Sequence, residues 1–248
     1  MKSLSILQVV PPHSTNPEYR LRETSRHFAT VWSSATTAIA ENEWVVADME
    51  GNLITLRQGT QDGNEGDYRR RLEVTGEFRL GEVVNKMVPL SSTPAPSQHK
   101  STGKDTKMTD ADGGEVSGKR SLDPKMPRVG PLVTPRAFAA TVEGAIYMLA
   151  TINPAYVNVL LLLQSALASR VQAPGYMPWT KFRAWKTEVM EKDEPFRVVD
   201  GEMVEQGLLA LDDEQLETVL REGGLMEEAL SVSVQEARAW GDELRRLY

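Results

Sequence analysis

Two stretches far apart in the chain share one grammar: VADMEGNLITL at 46–56 and AATVEGAIYML at 139–149. Each runs a compact residue pair into a Glu-Gly turn and out along an apolar strand. The glycine supplies the positive φ that a tight hairpin needs. Similar hairpins separated by further strands mark a repeated blade, as in a β-propeller. The surrounding sequence supplies those strands. Ser3 to Val10, Val31 to Ile39, Arg69 to Leu80 (interrupted at Gly76) and Val83 to Leu90 all read as β-prone runs. Residues 18–30 are charged and give no clear signal, and 59–67 read as a loop.

Between the two hairpins lies a stretch of different character. From Ser91 to about Gly130 it is Ser, Thr, Pro, Gly, Lys and Asp without one Phe, Tyr or Trp. Such a segment buries too little apolar surface to offset an ordering cost of roughly 1–2 kcal/mol per residue. We take 91–135 as a disordered insertion, tolerable because loop-closure entropy grows slowly with length. The strand pattern resumes at Arg136.

The second half changes period. Asn153-Pro154 reads as a helix start, and the run Val157 to Leu163 continues at Ala166, Leu167 and Val171 with helical spacing. It is shorter than the roughly 20 apolar residues that span a bilayer, so it predicts a buried core helix. Tyr176, Trp179, Phe182 and Trp185 follow at intervals of three, with Lys181, Arg183 and Lys186 among them. Rings on one edge suit an anchoring seam with the cations left in water; they also suit base stacking on a single-stranded nucleic acid. Asp200 and Asp212 are placed to cap helices through Met203–Leu208 and Leu216–Leu220, Gly223-Gly224 ends the second, and Ser231 or Ser233 opens a last amphipathic helix. The fold class expected is all-β plus all-α: partial-propeller strands in 1–90, the insertion, a final hairpin in 136–152 and a helical domain in 153–248.

Chemistry-bearing motifs are scarce. The chain has no cysteine and three histidines, His13, His27 and His99, none paired at metal-ligand spacing. No nucleophile elbow, phosphate-binding glycine loop or paired-histidine zinc motif occurs. We expect no enzyme, no cofactor and no metal. A net charge of −7 argues against a generally basic nucleic-acid binder. The N-terminal MKSLSILQVVPP reads as a strand, lacking the long apolar core of a signal peptide. Ser117-Gly118-Lys119-Arg120 holds too few basic residues for an import signal.

The order of elements carries a resemblance. An apolar helix, the aromatic–basic piece from Trp179 to Lys186, and Val199-Asp200-Gly201-Glu202-Met203-Val204-Glu205 resemble the C-terminal region of the damage-specific DNA-binding protein 1-like adaptors, within the cleavage and polyadenylation specificity factor A subunit family. Leu80-Gly81-Glu82-Val83-Val84-Asn85 is similar to a strand of their last propeller. The resemblance implies the closing strands of a third propeller and its helical domain, without the propeller that holds cullin-4. It implies WD40-type substrate receptors and the rest of the adaptor as partners, in DNA repair and ubiquitin-ligase assembly in the nucleus, with no membrane. The alternative is a sibling acting in pre-mRNA cleavage or splicing. It also implies a partner-binding set. Met1-Lys2-Ser3-Leu4 resembles the family's M-R-S strand, with Lys2 for arginine. Arg26-His27-Phe28 resembles its R-D-F, Trp32 matches its tryptophan, and Asn85 lies in the strand facing the same cleft. An exposed Arg and Trp suit a binding hot spot, although lysine does not reproduce an arginine fork. A partial propeller leaves unpaired strand edges, so the chain is expected to be a fragment or to associate with the missing part.

Overall fold

The computed structural model describes residues 4–12, 18–59, 70–90, 130–171, 173–227 and 230–247. Lys2, His13, His99, residues 60–67 of the loop and the insertion from 91 to 129, with its Lys119-Arg120, lie outside the described residues.

Among the described residues, nine strands form two sheets. They are β1 (Ser5–Val10), β2 (Arg20–Arg26), β3 (Ser33–Ala40), β4 (Glu43–Asp48), β5 (Asn52–Gln58), β6 (Arg70–Arg79), β7 (Val84–Pro89), β8 (Val133–Thr141) and β9 (Ile146–Ile152). The first sheet has order β1-β2-β6-β5-β4-β3 and the second β7-β8-β9. Within them β3 to β6, and β7 to β9, are consecutive antiparallel meanders. The β1–β2 hairpin joins the first sheet through a short parallel pairing of Ser25 and Arg26 with Arg70 and Arg71.

The β3–β6 meander is apolar on both faces, and alternation sorts its side chains. Val45, Ala47 and Leu53 face the main core, while Val46, Ile54 and Leu56 face a second cluster with Val31, Leu4, Ile6 and Trp185. On β6 the parity inverts midway. Leu72 and Val74 join the second cluster, whereas Phe78 and Leu80 join the main core. The cause is a bulge: Leu56 pairs with Val74 but Thr55 pairs with Gly76, leaving Thr75 as the extra residue.

Two boundaries differ from the sequence reading. The charged segment at 18–30 contains β2, whose backbone pairing with β1 outweighs its poor apolar pattern. Residues 130–135, assigned to the insertion, are part of the fold. Leu132 is fully buried, its amide donates to Glu243 Oε1 at 2.6 Å, and β8 already begins at Val133. Pro135 pairs with Ala150 of β9 beside a register shift, while β7 reaches back along β8 only to Ala137, so Pro135 lies on an unpaired edge toward β7.

The helical part follows its sequence signals closely. Asn153 caps a 3-10 turn over Pro154–Tyr156, accepting from the Ala155 amide, and α1 (Val157–Ala168) continues from it. A short α2 (Trp179–Arg183) precedes α3 (Gly201–Ala210), capped by Asp200. Asp212 and Gln215 form a capping box on α4 (Asp213–Glu222), and Ser233 caps α5 (Val234–Arg245). Leu160, Leu163, Leu167, Leu208, Leu216 and Leu220 are fully buried and belong to the same cluster as Phe78, Val84 and Ala139 of the sheets. Each contributes roughly 1.5–3 kcal/mol of burial. Sheets and helices therefore share one apolar seam.

Candidate interaction surface

One end of the sheets gathers several of the residues singled out in the sequence. The antiparallel registers place the start of β3, the β4–β5 turn, the end of β6, the start of β7 and the β8–β9 turn at this end. Backbone hydrogen bonds tie them together. The Met49 amide donates to Trp32 O at 2.9 Å, the Leu80 and Gly81 amides donate to Gly51 O, and the Val142 amide donates to Val83 O at 2.9 Å.

The two turns with shared sequence are built alike. Asp48 Oδ1 accepts from the Glu50 and Asn52 amides at 2.9 and 2.8 Å, and Thr141 Oγ1 accepts from the Ala145 amide at 3.0 Å. Asp48 and Thr141 occupy the same offset in the repeat, so one side chain per turn holds the backbone. Gly51 and Gly144 follow with φ of 80° and 96°. The residue between cap and Glu-Gly, Met49 or Val142, is then forced outward. The result is an apolar rim: Trp32 is 64%, Met49 49%, Val142 67% and Ile146 72% exposed. Sequence reasoning chose Trp32 but missed Met49, Val142 and Ile146. The signal was available, since an apolar residue stands at the tip of both repeated turns, where polar residues are usual.

Asn85 sits at the start of β7 as the extra residue of a bulge, because Val84 pairs with Thr141 and Lys86 with Ala140. Its side chain is exposed at this end, two residues from the Val83 carbonyl that binds Val142. Trp32 and Asn85 are thus both exposed on the rim. Arg26 is placed elsewhere on the chain path, at the last residue of β2 beside Arg71, with its guanidinium on Glu23 at 2.7 Å. Lys2 lies outside the described residues. Next to Arg26, His27 is buried and its Nδ1 has no hydrogen-bond partner. Burial, and then the Arg71 guanidinium, hold its imidazole below the usual range, partly offset by a bond to the Ala29 backbone. Phe28 is exposed, with Arg71 over its ring at 6.0 Å.

The rim carries carboxylates. Glu82 Oε1 accepts from Tyr147 Oη at 2.9 Å, and burial followed by this bond pushes the phenol up to about 12. Glu50 Oε2 accepts from the Glu188 amide at 3.1 Å, linking the rim to the helical part. Asn52 does the same twice, donating to Lys186 O at 2.7 Å and accepting from the Lys186 amide at 3.1 Å.

The aromatic–basic piece is an anchor only in part. Trp179 is buried and Trp185 joins the second core cluster, but Tyr176 is exposed and off the seam, at a positive φ of 59°. Arg183, expected in water, is instead mostly buried. Its Nε donates to Asp200 Oδ2 at 3.0 Å, its Nη1 to Leu80 O at 2.9 Å, and its guanidinium lies 5.1 Å from the Phe78 ring centroid. Lys181 and Lys186 are paired with Asp193 and Glu191. With Trp179 in the core and these cations neutralised, this piece is not laid out as a base-stacking platform. Among the described residues no group of three His, Asp or Glu is arranged to hold a metal, and no helix is long and apolar enough to cross a membrane.

Comparison with known proteins adds a family. The family described as CPSF A subunit region matches residues 1–208. The chain is 25% identical over 236 residues to DNA damage-binding protein 1 of Oryza sativa subsp. japonica, covering 95% of this chain and 18% of that protein. It is 23% identical to DNA damage-binding protein 1 of Schizosaccharomyces pombe and 26% identical to that of Solanum lycopersicum, each over 100% of this chain and 19% of the relative. The chain thus spans less than a fifth of the length of these curated relatives.

Proposed function

Since the chain belongs to the CPSF A subunit family and is a DNA damage-binding protein 1-like region of it, we propose that it is a non-enzymatic protein-interaction scaffold, part of an adaptor that seats WD40-type substrate receptors for a cullin-4 ubiquitin ligase in the nucleus. In this reading the two meanders are the closing blades of a propeller, and the chain acts together with the remainder of such an adaptor. Cullin-4 contacts belong to a propeller outside the present sequence. The observation that supports the reading is the rim: Trp32 and Asn85 stand exposed on one end of the sheets, beside Met49 and Val142. Exposed apolar surface of this kind, held by turns and a bulge, is what a docking face requires. The exposed apolar side chains of Leu7, Val9, Tyr19 and Leu21, on and beside the β1–β2 hairpin, support association with a further sheet.

Affinity capture tests it. The tagged chain, co-expressed with the remaining adaptor segments and a WD40-type receptor, is expected to retain the receptor. Trp32→Ala and Asn85→Ala are expected to lower that retention, and Tyr176→Ala to leave it unchanged. Equal retention by all three variants would refute the assignment of the rim.

A further inference from the structure

The helical part contributes a small hairpin at 186–191. Lys186 and Glu191 form an antiparallel bridge, and the Thr187 amide donates to Met190 O at 2.7 Å. Thr187 Oγ1 accepts from the Met190 amide at 3.1 Å, so the turn is closed from inside. Its root is fixed by the Asn52 and Glu50 bonds to Lys186 and Glu188. Yet its tip holds two apolar side chains in water, Val189 at 96% and Met190 at 54% exposure. A flexible loop would lose entropy on docking; a tip already closed and rooted loses little.

Charge says what fits it. Lys181, Lys186 and Lys192 are engaged by Asp193, Glu191 and Glu77. Glu188 immediately precedes the tip and Glu194 follows the hairpin in sequence; both are exposed, and among the described residues no cation is paired with either. The surface is therefore an apolar knob with an unneutralised carboxylate next to it, and its complement is apolar and cationic.

We propose that the 186–191 hairpin is a second docking element, which inserts Val189 and Met190 into an amphipathic, Lys/Arg-rich segment of a partner protein. It adjoins the rim through Glu50 and Asn52 but offers different side chains, and it holds whether or not Trp32 and Asn85 bind receptors.

The test uses the full chain and a fluorescein-labelled synthetic peptide of alternating leucine and lysine pairs, read by fluorescence anisotropy. A peptide with glutamate for lysine is the control. The lysine peptide is expected to bind and the glutamate peptide not to. Combined Val189→Ser and Met190→Ser should weaken binding about tenfold or more, as should Glu188→Lys with Glu194→Lys. Trp32→Ala should leave it unchanged. Both serine positions are exposed, so matching thermal melts confirm an intact fold. Absence of binding, or binding indifferent to the serine variant, overturns the proposal. Concentration-dependent dimers in sedimentation that vanish in the serine variant also overturn it, because they assign the hairpin to a second copy of this chain.

Discussion

Arg183 is one of the points at which sheet and helices are held together, and replacing it with methionine tests that account. The guanidinium reaches the α3 cap at Asp200, the Leu80 carbonyl at the end of β6 and the face of Phe78. The side chains of Arg183 and Asp200 are only 14% and 9% exposed. Breaking a buried pair by removing one partner costs roughly 3–5 kcal/mol, because a buried charge is left behind. Asp200 keeps its bond from the Met203 amide, which places Arg183→Met at the lower end, about 3 kcal/mol. Adding Asp200→Ser removes the stranded carboxylate and still caps α3. What remains lost is chiefly the bond to the Leu80 carbonyl, about 1 kcal/mol. The double variant should therefore be more stable than the single one by roughly 1–2 kcal/mol. Urea unfolding at neutral pH, followed by tryptophan fluorescence and far-UV circular dichroism, measures both midpoints. A single variant costing less than about 1 kcal/mol, or a double variant less stable than the single one, would show that Arg183 is a solvated charge after all.

Gly76 receives the Phe196 segment, whose backbone exchanges two 2.8 Å hydrogen bonds with Glu77. A Cβ there would lie 2.7 Å from Thr55 Oγ1, 3.0 Å from Val198 Cγ2 and 3.2 Å from Phe196 O. Gly76→Val should cost about 1–3 kcal/mol and speed hydrogen exchange at the Glu77 and Phe196 amides; unchanged exchange would exclude this contact. His27 has a folded pKa below its unfolded value. The unfolded chain accordingly takes up the proton first, and stability is complete above about pH 6.5 and declines as pH falls below it. His27→Gln should flatten that decline below pH 6.5 in pH-dependent unfolding, and an equal slope in the variant would refute it. Alkaline titration of the tyrosines at 295 nm should show a late step near pH 12 that Tyr147→Phe removes.

The sequence already held most of the element types, for local reasons. Helix caps are legible because Asn153, Asp200, Asp212 and Ser233 bond to amides two or three residues away. The hairpins are legible because Gly51 and Gly144 need only their own φ. Even the missed rim residues Met49 and Val142 were marked by their shared offset in the repeat. By contrast, β2 lacks an apolar pattern and forms because β1 and β6 supply its partners. Arg183 looks like any surface cation until α3 and β6 bring Asp200, Leu80 and Phe78 around it. Interactions closed within a few residues depend on the local chain alone; those joining residues more than a hundred positions apart, such as Arg183 to Leu80 or Asn52 to Lys186, exist only once packing has brought both ends together.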